Sequence, residues 1–394
     1  MKKVITALLV VTAVFACSEQ ELPSPTDVRL NHALDGLSPT GDLSWFILPD
    51  ATDYDQIPQD PANPLTAAKV ALGKMLFFET GLGQDALHEE GRGTYSCATC
   101  HVPRSGFMPG RAQGIADGGI GFGFKGETRE VDEDYGEGEL DVQGARPLSL
   151  LNVAYVTNTT WSGKFGAGEV NEGTEQVWGD EEVTQINHLG MSGLESQNIE
   201  GLALHRMRVD KETVERLGYR EMFDQAFPDV KEERYSAKTA SFAISAYLRC
   251  LLTTEAPFQR WLKGDVNAMS EIEKEGAVLF FGKAGCYRCH TGPGLNSMTF
   301  HALGVDDLYQ HPDAVQTDEH DKRNLGRGGF TREEEDMYKF KVPGIYNMAQ
   351  TPFYFHGSSR SSLEEVVEYF NAGVPENPNV PEAQISQSFH PLQL

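Results

Sequence analysis

The chain has 394 residues, with 58 acidic against 33 basic side chains and a formal net charge of −25. Such an excess of negative charge repels phosphate backbones, so nucleic acid is excluded as an expected partner. The length allows two or three domains, and 40 glycines, 20 prolines and 10% aromatic residues indicate a loop-rich globular protein with a core.

The N-terminus has the pattern of an export signal. Lys2 and Lys3 precede an apolar run, 4–15, that is too short for a permanent membrane span. Cys17 follows in a lipoprotein-like cleavage sequence, so we expect residues 1–16 to be a signal peptide. Cys17 would then carry a lipid anchor in the periplasm, and the protein would meet the membrane only there. Ordinary cleavage without lipidation is the alternative.

The next segments predict a mainly α fold, because few runs alternate with period two. We expect residues 17–60, rich in Pro, Asp and Ser, to form a tether and a leading segment. A helix should begin after a Thr66 cap. The Gly- and acid-rich stretch 111–144 predicts a solvated insertion with little regular structure. Helices across 193–252 should complete a first domain at 61–254.

The remaining residues, 255–394, predict a second domain. Ser270 and Glu273 form a capping box before an expected helix at 274–281. A further cap at 361–365 opens a helix with an apolar face. Both domains are expected to be α lobes with long loops.

A C-x-x-C-H motif occurs twice, and it is the attachment signature of c-type haem. Two thiols bind the vinyl groups of one porphyrin, and the next residue is the proximal iron ligand. The two sets are Cys97, Cys100 and His101, then Cys286, Cys289 and His290. A zinc ribbon would bring its cysteine pairs closer, a thioredoxin motif needs a βαβ unit, and disulfides leave both histidines unexplained. We therefore predict two covalent haem c groups, one in each of two cytochrome c-like haem domains.

Stretches from about residue 64 to the end resemble the bacterial di-haem cytochrome c peroxidase family, which includes the MauG-type enzymes. They are 72–78, 151–154 followed by Trp161, 258–265, 340–343 and 351–357. The resemblance implies that a small periplasmic redox protein, a cytochrome c or a cupredoxin, delivers electrons to the C-terminal haem. They would pass by way of Trp161 to the N-terminal haem, where hydrogen peroxide is reduced to water.

The same resemblance implies further features. His356 would support the C-terminal haem, and members are often dimers. A calcium ion between the lobes would use Thr351 as a ligand, although the expected Asn is replaced around Arg146-Pro147 and Phe353 stands where Pro is usual. The chain also stops where relatives usually continue into a closing helix, so we expect a shortened C-terminus.

The peroxide site departs from the family pattern. No His occurs between His101 and His188, so we expect a five-coordinate N-terminal iron that needs no reductive activation. The family's catalytic pair is a Gln followed about ten residues later by Glu-Met. Gln197 matches the Gln, but Arg206 and not a carboxylate stands directly before Met207. We predict that His205 is the acid–base group and that Arg206 stabilises developing negative charge. The alternative is that His205 has only a structural role and that Glu195 or Glu200 is the acid–base group.

The sixth ligand of the C-terminal haem is also uncertain from the sequence, since the family position is Phe370, which cannot ligate. Tyr369 would serve if the helix register shifts. Otherwise the position is open or is filled by one of three methionines, Met298, Met337 or Met348. Two other functions stay open: a MauG-like oxidase acting on a partner protein, and a di-haem electron carrier.

Overall fold

The computed structural model describes residues 22–392, so the predicted signal peptide and Cys17 lie outside the described residues. The predicted mainly α fold is confirmed. The helices are α1 Pro25–Asp35, α2 Ala67–Phe78, α3 Cys97–Cys100, α4 Gly193–Leu204, α5 Lys211–Leu217, α6 Arg220–Ala226, α7 Ala237–Arg249, α8 Pro257–Leu262, α9 Glu271–Phe280, α10 Gly328–Thr331 and α11 Leu363–Ala372. Within 22–392, no helix is both long and apolar enough to cross a membrane.

Only short strands accompany these helices in the described residues. Strand β1 (Gly119–Ile120) pairs antiparallel with β2 (Glu130–Val131). Strand β3 (Phe300–His301) pairs antiparallel with β4 (Phe340–Lys341), with Phe300 opposite Lys341. Each pair ties together a loop that lies beside one of the two C-x-x-C-H motifs.

Side-chain caps fix the helix starts that the sequence predicts. Thr66 accepts the backbone N–H of Lys69 at the start of α2. Ser270 and Glu273 form a reciprocal capping box at the start of α9, as predicted. Ser362 caps α11 by accepting the N–H of Glu365. Each cap satisfies a donor that would otherwise be unpaired in the first turn.

The first core forms where α2 crosses α7. Leu72, Leu76 and Phe77 are fully buried on α2, and the Phe77 ring lies 5.5 Å from that of Tyr247. A Cβ at Gly73 would fall 1.8 Å from the Ala243 carbonyl oxygen, so only glycine allows this close approach. The crossing anchors the helix that leads into the first C-x-x-C-H motif.

The second core includes the N-terminal helix α1, which packs against α8 and α9. Leu30 and Leu34 are fully buried there with Phe46 and Trp261. Asp27 accepts the Trp261 indole N–H at 2.7 Å and forms a buried ion pair with Lys274. The sequence predicts a tether and leading segment at 17–60, but it does not predict that α1 completes the second lobe.

The segment 111–144 has little regular structure, as predicted, but it is solvated only in part, because 112–119 are buried whereas 120–124 and 136–138 are exposed. Gln113 and Asp117 are fully buried, and Arg129 is 4% exposed. Arg129 donates to the carbonyls of Ile115 at 2.5 Å and Ala116 at 2.6 Å. A buried loop must have its backbone groups paired, and here its own arginine supplies the donors.

We predict that Leu34→Ala destabilises the protein by about 2–5 kcal/mol, because it leaves a cavity between α1 and the second lobe. Val28→Ala on the same helix should change the stability little, since Val28 is 58% exposed. The measurement is thermal unfolding of both variants followed by absorbance and circular dichroism. Equal, small effects would mean that α1 does not pack on the second lobe.

Candidate active site

The first C-x-x-C-H motif forms a single helical turn, α3. Thr99 accepts the backbone N–H of Ser96 at 3.0 Å and closes the turn. Cys97 is half-buried and Cys100 is 8% exposed. Residues three apart in a helix share one face. Burial raises the pKa of Cys97 to about 11 and of Cys100 to about 12, so both are thiols, unlike the thiolates of redox or metal sites.

His101 follows this turn, and its ring is held by the backbone. Its Nδ1 lies 3.0 Å from the carbonyl oxygen of Phe107, so Nδ1–H donates and Nε2 remains available for a metal. Burial lowers the pKa of His101 to about 4, against the raising effect of that hydrogen bond. A neutral imidazole with a free Nε2 is the form that binds haem iron.

The second motif repeats the same arrangement. A 3-10 turn at Cys286–Arg288 leads to His290, whose Nδ1 lies 3.1 Å from the carbonyl oxygen of Leu295. Burial lowers the pKa of His290. Both accepting residues, Phe107 and Leu295, have positive φ angles, which turn their carbonyls toward the rings.

The donors present at both motifs fit covalent haem. None of the cysteines in 22–392 forms a disulfide, and no cluster of three or more His, Cys, Asp or Glu there could hold a metal ion. Beside Cys100, the buried atoms Arg111 Nε and Gln143 Oε1 find no hydrogen-bond partner among residues 22–392. Gly114 packs so closely on Cys100 that a Cβ would fall 2.7 Å from its sulfur.

His205 stands at the end of α4 and is joined to a carboxylate from segment 111–144. Its Nδ1 lies 2.9 Å from Asp141 Oδ2 and 3.1 Å from Oδ1. Burial opposes the charged form of His205, but Asp141 outweighs burial and raises the pKa of His205. A charge on His205 in turn lowers the pKa of His101, so the two buried rings interact electrostatically. No sequence pattern pointed to Asp141, which lies 64 residues from His205.

The side chain of Arg206 is committed to another carboxylate. It forms an ion pair with Asp117, which is fully buried. Asp117 also accepts the Tyr135 hydroxyl at 2.6 Å and the Leu87 N–H at 2.8 Å. The Arg206 carbonyl accepts the Tyr95 hydroxyl at 3.1 Å. These bonds fix the backbone next to His205, so the Arg206 guanidinium has a supporting role.

The other candidate polar groups of α4 differ in availability. Gln197 is half-buried and makes no side-chain hydrogen bond within the described chain. Glu195 is fully buried, and both its carboxylate oxygens bind Arg249, at 2.5 and 3.1 Å. Burial raises the pKa of Glu200, with a smaller contribution from Glu182. Glu195 is therefore already paired, whereas Gln197 is free to face a ligand.

Trp161 lies at the seam between the two lobes. Its indole N–H donates to the Arg146 carbonyl at 2.6 Å, and its own carbonyl accepts the Lys341 N–H at 2.8 Å. The ring packs edge-on against His356 and Phe340, and these two stack at 3.5 Å. His356 is buried and its Nε2 lies 2.9 Å from Asp307 Oδ1.

The residues expected at a calcium site do not fit calcium, because a guanidinium is already there. Arg146 Nη2 donates to Thr351 Oγ1 at 2.7 Å and to the Pro109 carbonyl at 2.6 Å. Arg146 is 1% exposed and is among the largest fully buried side chains of the described chain. The oxygen of Thr351 that would bind a metal thus accepts a hydrogen bond from a side-chain cation.

Tyr369 and Phe370 belong to an apolar cluster with Val305 and Phe389. The Tyr369 hydroxyl donates to the Leu303 carbonyl at 2.7 Å, and burial raises the pKa of Tyr369. Ligation of a haem iron by Tyr369 would require breaking this bond and deprotonating the hydroxyl. The sequence prediction of Tyr369 as a ligand stays a prediction.

Two residues near the second site were not singled out as functional by the sequence. His301 lies with its Nε2 3.5 Å from Cys289 Sγ and lines a cavity of about 740 Å³. Lys341 is 2% exposed and its ammonium has no partner within the described residues. Burial lowers the pKa of Lys341 to about 8. An unpaired buried ammonium is costly unless an anion is bound beside it.

Comparisons with known proteins give a family match and several similar relatives. A family profile described as di-haem cytochrome c peroxidase matches residues 67–267. Methylamine utilization protein MauG of Methylorubrum extorquens is 29% identical over 328 residues, which cover 83% of this chain and 75% of that protein. Cytochrome-c peroxidase IdrP1 of Denitromonas iodatirespirans is 28% identical over 339 residues, with coverages of 80% and 76%.

A solved structure has the same fold. It is a MauG-like protein associated with microbial copper homeostasis, which is 25% identical with a TM-score of 0.59 and covers 88% of this chain and 90% of its own. The family profile spans more than half of the chain and includes the first haem motif, α4 and His205. This chain belongs to the di-haem cytochrome c peroxidase family.

Proposed function

We propose that this protein reduces hydrogen peroxide to water at the His101 haem, with electrons that enter at the His290 haem. The observation that carries the proposal is the hydrogen-bonded His205–Asp141 pair, whose histidine acts electrostatically on the His101 ring. The balanced reaction consumes one peroxide, two electrons and two protons and yields two waters. The protein must therefore supply a proton path and an electron path to one place.

The chain's own residues would hold both haems. Thioethers would form at Cys97 and Cys100 and at the cysteines of the second motif, and Arg111 Nε would donate to a haem carboxylate beside Cys100. The unpaired ammonium of Lys341 would do the same in the second lobe. When bound, the haems would supply an iron that binds peroxide and a store of electrons.

His205 would move the protons. With Nδ1–H donating to Asp141, its Nε2 is a base that takes the proton from the inner oxygen of peroxide. The resulting imidazolium returns that proton to the departing oxygen. Asp141 holds the ring orientation and stabilises the imidazolium, as the aspartate does in hydrolase triads. Gln197 would position the peroxide by a hydrogen bond, and Arg206 would fix the turn that carries His205.

The stack at the lobe seam would carry electrons. Trp161 contacts first-lobe backbone through Arg146 and contacts Phe340 and His356 of the second lobe. Its contacts therefore join residues of the two proposed haem domains, at 61–254 and 255–394, the second of which is extended by α1. His356 would keep its supporting role by packing against this stack.

We further propose that the protein works in the periplasm, lipid-anchored through Cys17. Its electron donor would be a small cytochrome c or cupredoxin, and its state a dimer. Support comes from the export-like sequence at 1–17, the acidic charge of −25 and the family. A MauG-like oxidation of a partner protein is the second candidate, favoured by the 29% identity to MauG. It would give poor turnover with small electron donors.

We predict that His205→Ala lowers the rate of peroxide reduction by about 10²- to 10⁴-fold, the usual contribution of a positioned acid–base group. The measurement is steady-state oxidation of a reduced cytochrome c by peroxide, normalised to haem content. His88→Ala is the matched control, since His88 pairs with a partly exposed Glu139. Unchanged turnover in His205→Ala would refute the assignment of His205.

We predict that Asp141→Asn moves the pH dependence of the peroxide reaction to lower pH. The Asp141 carboxylate raises the pKa of His205, so without it burial lowers that pKa and the free base persists in more acidic solution. Rapid mixing with peroxide across a pH series gives the profile. The exposed Asp134→Asn should leave the profile in place. A slower reaction with an unmoved profile would mean that Asp141 is only structural.

A further inference from the structure

Arg146 is a buried cation surrounded by neutral oxygens. Its guanidinium donates to the carbonyls of Pro109 at 2.6 Å and Ala112 at 3.2 Å, and also to that of Arg111. The fourth oxygen is Thr351 Oγ1 at 2.7 Å. Three backbone carbonyls and one hydroxyl are the type of ligand set that hard cations such as calcium take in proteins.

No carboxylate in the described residues forms an ion pair with this guanidinium. Burial lowers the pKa of Arg146 to about 9, with a small opposing contribution from Tyr354, so the group stays charged at neutral pH. The charge is balanced by the dipoles of the oxygens around it and by the Phe353 ring, whose centroid lies 5.6 Å from the guanidinium carbon. A divalent ion at the same oxygens would face a like charge and would lose its ligands to the guanidinium.

The backbone of Arg146 extends the same link. Its N–H donates to the His356 carbonyl at 2.7 Å, and its carbonyl accepts the Trp161 indole N–H at 2.6 Å. Thr351 in turn donates to the Phe353 carbonyl at 3.3 Å. One residue of the first lobe therefore contacts the second lobe through its side chain and its main chain, and it also fixes the tryptophan at the seam.

We propose that Arg146 takes the place of the interlobe calcium ion, as a cation built into the chain. The lobes are then joined, and Trp161 is positioned, without any divalent metal. The chain binds no calcium at Thr351, and chelators leave the arrangement of the lobes unchanged. This inference does not depend on the peroxidase reaction, because it concerns metal content and stability.

The test uses the full-length haem-loaded protein, its calcium content after dialysis and its thermal unfolding in EGTA or millimolar calcium chloride. Wild type should hold substoichiometric calcium and unfold at one temperature in both solutions. Arg146→Asn removes the cation and offers an amide oxygen to a metal. Its Tm should fall by at least about 5 °C in EGTA and recover in part with calcium. The control is Arg104→Asn, at an exposed arginine, which should neither lower the Tm in EGTA nor make it respond to calcium.

Calcium bound one per chain in wild type, or a wild-type Tm that falls in EGTA, would overturn the proposal. An Arg146→Asn protein as stable as wild type in EGTA would also overturn it, because the guanidinium would then join nothing. Should Arg146→Asn fail to fold, Arg146→Lys keeps the charge and is expected to unfold earlier without any response to calcium. A calcium-dependent Tm in that variant contradicts the proposal.

Discussion

The hydrogen bonds of Arg146 form the constraint on which the rest of the molecule depends. Two lobes can exchange electrons efficiently only at a fixed separation, and this residue contacts both through its main chain and its side chain. A buried guanidinium is costly to desolvate, and four oxygen partners offset that cost only in one geometry. Three of the four oxygens belong to the first lobe and only Thr351 Oγ1 to the second. A displaced second lobe would therefore remove the one side-chain hydrogen bond of Arg146 that joins the two lobes, which makes the interface specific as well as stable.

The same logic explains segment 111–144. The loop has almost no regular structure, yet its carbonyls accept hydrogen bonds from Arg129 and Arg146 and its carboxylates hold His205 and Arg206. Interior charges are tolerated because each is satisfied, either by an opposite charge or by backbone carbonyls. A loop built in this way can present an acid–base group beside a haem site without a supporting sheet or long helix.

The sequence predicted what depends on local chemistry. The caps at Thr66, Ser270 and Ser362 fix helix starts within a few residues, so short-range patterns suffice to find them. The C-x-x-C-H motifs are equally local, since a porphyrin sets the spacing. The family resemblance, which the profile match confirms, supplied the two-lobe fold.

The sequence missed what depends on contacts between distant residues. Asp141 reaches His205 across 64 positions, and Asp27 of α1 reaches Lys274 of α9 across 247 positions. Composition alone made 111–144 look solvated, because acidic residues and glycines are common in exposed loops. Buried ion pairs in part of this segment contradict that expectation, and no periodic pattern in the sequence predicts such pairs. In the sequence, Arg146 stands out only as a departure from the family pattern. Its hydrogen-bond partners in the structure are what indicate its role.

The most direct test of the account is low-temperature EPR of the purified, oxidised protein, before and after addition of hydrogen peroxide. The account predicts a high-spin ferric signal from an iron with an open position, and the signal should collapse on peroxide addition without prior reduction. Two low-spin signals that ignore peroxide, in both the oxidised and the half-reduced protein, would contradict it. The chain would then be an electron carrier on the same fold.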